Sequence, residues 1–313
     1  MINSSDFNII DLEKIELEKI KLKEGNYGER SGEKYIENGF IILDKPVGPT
    51  SHDVVNTVKL ILGLAKAGHS GTLDPNVSGV LPIGLQNGTK ILNWLSKSRK
   101  RYICNMSFND NVDEKKIKDV LNEFTGEIYQ FPPLESNVVR RLRKRTIYNI
   151  ELLDVRGNDF LLDVECEAGT YIRTLCVDIG RVIGVKGYMK ELRRISSAKF
   201  LEKDTITLHQ LFDAFHDYKE NGDMSGLKKI IRPIEDILDL PKMLIDSIGI
   251  KKFRNGGKIK NDQILGYENF HKDDFIQLFS VAEELIGIGI AIIDSDSLRE
   301  KNSVEVVQPK KVI

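Results

Sequence analysis

The chain has 313 residues, and its 46 lysines and arginines nearly balance 47 aspartates and glutamates, for a net charge of -1. At about 150 residues per domain this length predicts two domains, and a composition that is 41% apolar excludes wholesale disorder. The near-zero net charge does not identify an acidic polymer as a partner, so only the local distribution of cations can indicate one. The cysteines, Cys104, Cys166 and Cys176, are odd in number and form no C-x-x-C pair, which argues against a disulfide framework or a cysteine-bound zinc.

No segment of the sequence predicts a targeting signal or a membrane span. The first residues lack a basic start followed by an apolar core, and the longest apolar run, 285–293, is far shorter than the roughly 20 residues that a span needs. We therefore expect a soluble, cytoplasmic protein with no membrane contact.

The chain begins with a densely charged extension over 1–38, whose apolar positions fit a strand or a short amphipathic helix equally well. A strand is predicted over 40–43, and Lys45-Pro46 ends it. A helix over 54–62 follows, for which Thr50 or Ser51 can serve as the N-cap. The glycine-rich stretch 68–79 sustains neither periodicity and predicts a loop.

Helices and strands then alternate irregularly up to residue 240. The predicted elements are a helix over 89–95, a strand over 102–108, a helix capped by Asp113, two strands over 146–155 and 160–167, a helix over 170–183 and a helical stretch over 227–238. Gly157-Asn158 between the two strands is typical of a hairpin turn. Hairpins without regular βαβ spacing favour a mixed α+β sheet over a doubly wound one.

A domain boundary is predicted near Pro241. The remaining residues, 241–313, are strand-rich, with candidate strands over 275–281, 285–292 and 304–307. The sequence therefore predicts a small β-barrel-like C-terminal domain.

Asp74 is the most unusual residue, because it lies before a proline in a loop bounded by glycine turns, where a carboxylate can be held rigidly. Capping of backbone N–H groups in a turn explains it more readily on spacing alone. A metal site built on His69 and Asp74 is not favoured, because the loop offers no third ligand. The sequence also contains no nucleophile elbow and no phosphate-binding loop. The residues thus predict neither a metal nor a cofactor.

Cations cluster at two places in this balanced chain. The first cluster comprises Arg140, Arg141, Arg143, Lys144 and Arg145. The second comprises Lys97, Arg99, Lys100 and Arg101 and lies directly before Tyr102. Together they indicate a surface that follows a phosphate backbone, although a solvated face explains either one alone. Arg173 near a helix start calls for a carboxylate or phosphate partner, because the helix dipole does not favour a cation there.

Four motifs in order resemble the TruB-type pseudouridine synthases, most closely their dyskerin-like branch. They are GFIILDKPVGPTS at 39–51, GHSGTLDP at 68–75 with SGVLP at 78–82, Arg101-Tyr102, and GTYIRTL at 169–175. The chain also runs from PPLESN at 132–137 directly into VVRRLRKRTIY at 138–148, without the RNA-gripping insertion that the bacterial enzymes carry there. The resemblance implies a mixed, antiparallel-rich synthase sheet with flanking helices over 39–240 and a PUA RNA-binding domain over 241–313. Residues 1–38 are expected to pack near the PUA domain.

The resemblance implies isomerisation of uridine to pseudouridine in rRNA, and possibly tRNA, by the catalytic subunit of an archaeal H/ACA particle. The implied partners are the H/ACA guide RNA, the target RNA and small accessory proteins; no cofactor or metal is implied. Asp74 would be the nucleophile, Tyr102 would stack on the flipped uracil, and Arg173 would pair with Asp74. His69 would contact RNA, and Lys45, counted with the substrate site, would buttress the loop. The cations at 140, 141 and 143–145 would bind RNA.

Three alternatives remain open at this point. A guide-independent synthase acting on the T-loop of tRNA shares the same chemistry. A non-catalytic RNA-binding scaffold would keep the fold and dispense with Asp74. A metal-dependent hydrolase built on His69 and Asp74 would be sensitive to chelators.

Overall fold

The structure is a computed structural model, and it describes residues 7–24, 32–133, 139, 141–299 and 303–313. The chain divides into two compact units, one formed by 39–232 and the other by 233–313 together with the described part of 1–38. The change of unit falls between Arg232 and Pro233, whereas the sequence analysis places a boundary near Pro241. Within the described ranges, no helix is both long and apolar enough to cross a membrane.

The helices are α1 (Leu12–Glu24), α2 (Gly32–Glu37), α3 (Ser51–Leu62), α4 (Leu92–Ser96), α5 (Glu114–Phe124), α6 (Ile172–Ile183), α7 (Leu208–Asn221), α8 (Ser225–Ile230) and α9 (Ser247–Arg254). The strands are β1 (Phe7–Ile9), β2 (Gly39–Lys45), β3 (Ala67–His69), β4 (Val77–Leu85), β5 (Lys100–Phe108), β6 (Gly126–Gln130), β7 (Arg143–Arg156), β8 (Asp159–Cys166), β9 (Gly187–Ser197), β10 (Phe200–Leu201), β11 (Arg232–Pro233), β12 (Lys242–Ile245), β13 (Ile259–Lys260), β14 (Ile264–Glu268), β15 (Phe275–Phe279), β16 (Leu285–Ala291) and β17 (Glu305–Val312).

The unit 39–232 is built on one mixed sheet in the order β2-β4-β9-β5-β8-β7-β6. All neighbouring strands in this order are antiparallel except β4 and β9. The apolar faces of α5 and α6 share one buried cluster with the inward side chains of β5 and β8, including Phe108 and Phe160. Amphipathic helices on a twisted sheet give the predicted α+β fold class, which is confirmed.

Several sequence signals act locally as expected. Thr50 caps α3, and Asp53 completes a reciprocal capping box with it. Asp113 accepts the Lys115 backbone N–H at the start of α5. The predicted hairpin is formed by β7 and β8, whose terminal pair is Arg156 with Asp159.

Two predictions about this unit are wrong. The sequence analysis places residues up to 79 in a loop, but β4 begins at Val77 and runs between β2 and β9. The predicted helical stretch over 227–238 ends early, because α8 stops at Ile230 and Arg232–Pro233 is extended as β11. Proline disfavours helical backbone in the residue before it, which explains this break.

The second unit holds the sheet β1-β14-β12-β15-β16-β17-β13, so the predicted β-rich C-terminal part is confirmed. Its buried cluster includes Met243, Phe253, Ile276 and Val306. β1 from the charged extension pairs antiparallel with β14, with Asn8 opposite Tyr267. The sequence leaves strand and helix equally possible for the extension, and the structure contains both, since α1 follows β1.

Candidate active site

Asp74 lies on the turn between β3 and β4, and its side chain is 54% exposed. Leu73, the residue before Asp74, is hydrogen-bonded twice to Ser51, the first residue of α3. The Ser51 hydroxyl accepts from Leu73 N and donates to Leu73 O, both at 2.9 Å. Gly71 reverses the chain with φ +88°, a conformation that favours glycine. The carboxylate therefore reaches solvent from a rigidly held backbone.

Lys45 is hydrogen-bonded to the same turn from the interior of the unit. Its side chain is fully buried, and Nζ donates to the carbonyls of Pro46 and Val77 at 2.9 Å and to that of Pro75 at 3.4 Å. Burial lowers the pKa of Lys45, and the Asp74 charge opposes that change. This position is that of a buttress for the Asp74 turn and not of a residue on the surface.

Arg173 comes to Asp74 from the first turn of α6. Its Nη2 donates to Asp74 Oδ2 at 2.7 Å, joining residues 99 positions apart. The start of α6 is fixed by the buried Gln130 of β6, whose amide donates to Tyr171 O at 3.1 Å and accepts from Tyr171 N at 3.0 Å. The pairing gives Arg173 the carboxylate partner that the sequence analysis seeks.

Tyr102 lies on β5, in contact with the core beside this ion pair. It is 8% exposed and packs in the same buried cluster as Leu73 and Ile172, the neighbours of the two charged residues. Burial raises the pKa of Tyr102, a hydrogen bond and charge from Arg194 oppose the rise, and the Asp74 charge adds to it. The phenol is therefore neutral at physiological pH and close enough to sense the carboxylate.

Arg194 is a buried residue beside the site that sequence reasoning missed, and the burial of Lys100, which the sequence analysis counts in a basic cluster, was not predicted either. Arg194 is 1% exposed on β9, and Lys100 is 4% exposed at the start of β5. Burial, helped by the Arg194 charge, lowers the pKa of Lys100 to about 7. Buried cations give no local signal in a sequence, because the same letters occur on solvated faces.

His69 lies at the end of β3, half-buried beside the Asp74 turn. Its Nδ1 is buried without a hydrogen-bond partner. Burial lowers the pKa of His69, as do the charges of Arg194 and His52. A neutral imidazole with a free nitrogen is available to a polar ligand, and contact with RNA stays a prediction for this residue.

The first basic cluster runs along β7 and the residues before it. Arg141 and Lys144 are exposed, and Lys144 is ion-paired with Glu127. Arg145 is half-buried and packs against Gly169, just before α6. Arg140 lies outside the described residues. The strand thus brings cations to the side of the site where α6 begins, and their binding of RNA stays a prediction.

The second basic cluster is not the open phosphate-binding surface that its sequence indicates. Lys100 Nζ is buried and donates to the carbonyls of Leu95 and Ser98 at 3.0 and 2.8 Å. Arg101 forms two hydrogen bonds to the Asp163 carboxylate at 2.8 and 2.6 Å. Arg99 stacks over the Tyr148 ring, 3.9 Å from its centroid. These contacts occupy three of its four cations.

Family models match nearly the whole of the first unit. Residues 59–172 match the TruB family pseudouridylate synthase N-terminal domain, and residues 173–239 match the tRNA pseudouridylate synthase B C-terminal domain. Residues 22–55 match the DKCLD (NUC011) domain. The last match covers the end of the charged extension and the strand that leads to Lys45.

Relatives and solved structures agree with these matches. A probable tRNA pseudouridine synthase B from Pyrobaculum arsenaticum is 42% identical over 287 residues, which cover 91% of this chain and 87% of the relative. A protein of the same description from Methanopyrus kandleri is 44% identical, over 84% of this chain and 78% of the relative.

Among solved structures, the chain is similar to one in a Cbf5-Nop10-Gar1 complex, with a TM-score of 0.82, 38% identity and coverage of 99% and 94% of the two chains. It is also similar to a chain of an H/ACA ribonucleoprotein bound to a substrate RNA, with a TM-score of 0.81, 37% identity and coverage of 99% and 90%. The chain belongs to the TruB family of pseudouridine synthases, in its dyskerin-like branch.

Proposed function

We propose that this protein isomerises uridine to pseudouridine in rRNA, and in some tRNA, as the catalytic subunit of an H/ACA guide-RNA particle. Its partners are the guide RNA, the target RNA and small accessory proteins, as in the complexes of the similar solved chains. We place it in the cytoplasm, because its three cysteines are free and buried, and a reducing compartment keeps them so.

One arrangement carries this proposal. The Asp74 carboxylate is exposed and is paired with Arg173 at 2.7 Å, and the buried Tyr102 packs in one cluster with Leu73 and Ile172, the residues before each of them. A nucleophilic carboxylate has to be ionised and oriented, and a guanidinium partner does both. A base brought out of an RNA helix needs an aromatic surface, which the Tyr102 ring supplies.

The reaction follows from these positions. Asp74 attacks either the uracil ring or the ribose C1′, and the glycosidic bond breaks. The base turns within the site, and C5 then bonds to C1′ as Asp74 is released. The proton on C5 leaves with the help of Tyr102, and N1, which has lost its bond to C1′, carries a proton in the product. Reactant and product have the same composition, so the step consumes no second substrate.

RNA is held by groups around this centre. The cations at 140, 141 and 143–145 contact phosphates beside the flipped uridine, and His69 contacts the RNA from the other side of the Asp74 turn. The second unit is a PUA domain, in which Lys251, Lys252, Arg254 and Lys258 lie on or just after α9. This division lets the catalytic unit act on the uridine while the second unit binds the guide RNA.

Tritium release from [5-³H]uridine tests the proposal, because the new bond forms at C5. Wild type and Asp74→Asn are compared on a guided target RNA, with guide RNA and accessory proteins present or omitted. We expect release by wild type with the full set and a loss of at least about 10³-fold in Asp74→Asn, since the nucleophile is removed. An equal thermal midpoint for the two proteins controls for unfolding.

A second candidate function is guide-independent modification of tRNA, which the description of the relatives as tRNA pseudouridine synthase B favours. Release from tRNA by wild type alone, lost in Asp74→Asn, would establish it. Release that persists in Asp74→Asn would contradict catalysis by Asp74, and no release from either substrate would leave an RNA-binding scaffold.

A further inference from the structure

Arg194 occupies a central position in the first unit. It lies on β9, where it is paired with Tyr102 of the neighbouring strand β5 and with Gly79 of the neighbouring strand β4. Gly79 has φ +107°, and a Cβ there would lie 2.2 Å from Arg194 O, so only glycine lets the two strands approach this closely. The side chain of Arg194 is 1% exposed. A buried guanidinium is costly unless its donors are satisfied, so its partners are informative.

Those partners belong to separate parts of the active site. Arg194 Nε donates to Val80 O at 2.7 Å, and Nη2 donates to Gly71 O at 3.2 Å. Gly71 starts the turn that carries Asp74. Arg194 also pairs directly with Tyr102 across β9 and β5, so its guanidinium lies in the strand position next to the aromatic platform. One rigid, planar group therefore connects strand β4 and the nucleophile turn beside Tyr102.

The neighbouring residue on the same strand has a different role. Arg193 points to the opposite face of β9, where its guanidinium binds Asp44 at 2.9 Å through two nitrogens and also binds Glu202 and the Ser78 hydroxyl. These contacts join β9 to β2, to β4 and to the residues after β10, and they do not include Tyr102 or Gly71. Arg193 is therefore a suitable control, because it is a hydrogen-bonded arginine of the same strand on the opposite face.

We propose that Arg194 is a positioning residue of the isomerisation, which fixes the Asp74 turn relative to Tyr102. The inference rests on the proposed function for its catalytic consequence, but the positioning itself is a property of the free protein. Displacing catalytic groups by about 1 Å can cost up to 10²-fold in rate, so a looser turn should lower the rate of the chemical step.

Arg194→Lys tests the proposal, with Arg193→Lys as its control. Lysine keeps the charge but lacks the planar guanidinium that bonds to both Val80 O and Gly71 O. The readout in the free protein is amide hydrogen exchange at Leu73 and Val77, whose N–H groups are hydrogen-bonded to Ser51 and to Asp74 O. We expect exchange at both amides to become at least about tenfold faster in Arg194→Lys. In Arg193→Lys it should stay within about twofold of wild type. Arg194→Gln, which removes the charge, is used if Arg194→Lys does not fold, with the same expectation.

Kinetics with the assembled particle supply the second measurement. Arg194→Lys should lower kcat for tritium release at least about tenfold while KM for the target RNA changes less than about twofold. In a Tyr102→Phe background the same substitution should cost measurably less, because the hydroxyl of the residue paired with Arg194 is already absent and little is left to align.

Unchanged exchange at Leu73 and Val77 would overturn the proposal, as would an effect on KM alone or a cost independent of the Tyr102 hydroxyl. If wild type releases no tritium, the proposed function fails, and the exchange measurement still decides whether Arg194 positions the turn.

Discussion

Lys100 shows how a single buried cation couples this fold to pH. Between its folded pKa of about 7 and its ordinary value of 10.5, the unfolded chain binds a proton that the folded chain does not. The contribution of Lys100 to the free energy of unfolding therefore rises with pH across this window, whereas below about pH 7 the full cost of burying the cation is present.

Substitution Lys100→Met should remove this dependence. The free energy of unfolding of wild type minus that of Lys100→Met should increase on the order of a few kcal/mol from about pH 6.5 to about pH 9.5. Urea unfolding at both pH values measures it. Lys97→Met, at an exposed neighbour, should give a difference that does not change with pH, and the same constancy for Lys100→Met would refute the expectation.

Site residues were predictable from the sequence where they belong to a motif that the resemblance recognises. Asp74 and Arg173 lie 99 positions apart and are ion-paired, which the resemblance predicts and composition cannot. The burial of Lys100 and the role of Arg194 were missed because both are set by long-range packing of β5 and β9. A run of cations in the sequence does not reveal which of them find carbonyl partners inside the protein.

At the scale of elements, the contact between β6 and the start of α6 determines where Arg173 lies. Gln130 is 2% exposed, and its amide makes both a donor and an acceptor bond to the Tyr171 backbone. This pairing replaces a side-chain cap, which α6 lacks at Tyr171. The orientation of the helix therefore depends on one amide group.

Gln130→Leu should destabilise the protein by about 2 to 4 kcal/mol, because it leaves a backbone donor and an acceptor without their partner. It should also lower kcat for tritium release, since Arg173 follows Tyr171 by two residues. Gln210→Leu is the control; the exposed Gln210 accepts from Thr207 N in the capping box of α7, and its loss should cost less than about 1 kcal/mol. Equal costs in denaturant unfolding would contradict the assignment.

Elements with strong periodicity or caps were predicted well, as α3, α5 and the β7–β8 hairpin show. β9 was missed because five of its eleven residues are Lys, Glu, Arg or Tyr in the run Tyr188, Lys190, Glu191, Arg193 and Arg194, which hides the alternation. The partners of Lys190, Arg193 and Arg194 lie on β2, β4 and β8, in the Gly71 turn and at Glu202, and most of them are far away in the sequence.

At the scale of the whole molecule, the second unit depends on the charged extension. β1 forms the edge of its sheet, and Ile10 N adds a bond to Leu265 O at 2.9 Å beyond the three paired residues. Without β1, the backbone groups of β14 on that side would be exposed to water.

A chain that starts at residue 12 should therefore show amide exchange in β14 that is at least about tenfold faster, and a lower free energy of unfolding for the second unit. Hydrogen exchange read by mass spectrometry checks this, with the amides of β5 as an internal control that should not change. Unaltered protection of β14 would show that β1 contributes nothing to the sheet.

The pairing of β1 with β14 also bears on how the chain is made. Asn8 and Asn269 are hydrogen-bonded although 261 positions separate them. At about 5 to 20 residues per second, a ribosome needs roughly 10 to 50 s to supply the second partner after the first. The unit 39–232 lies entirely between them and can fold during that interval, so the sheet of the second unit is the last to close, and β1 stays available to other strands until then.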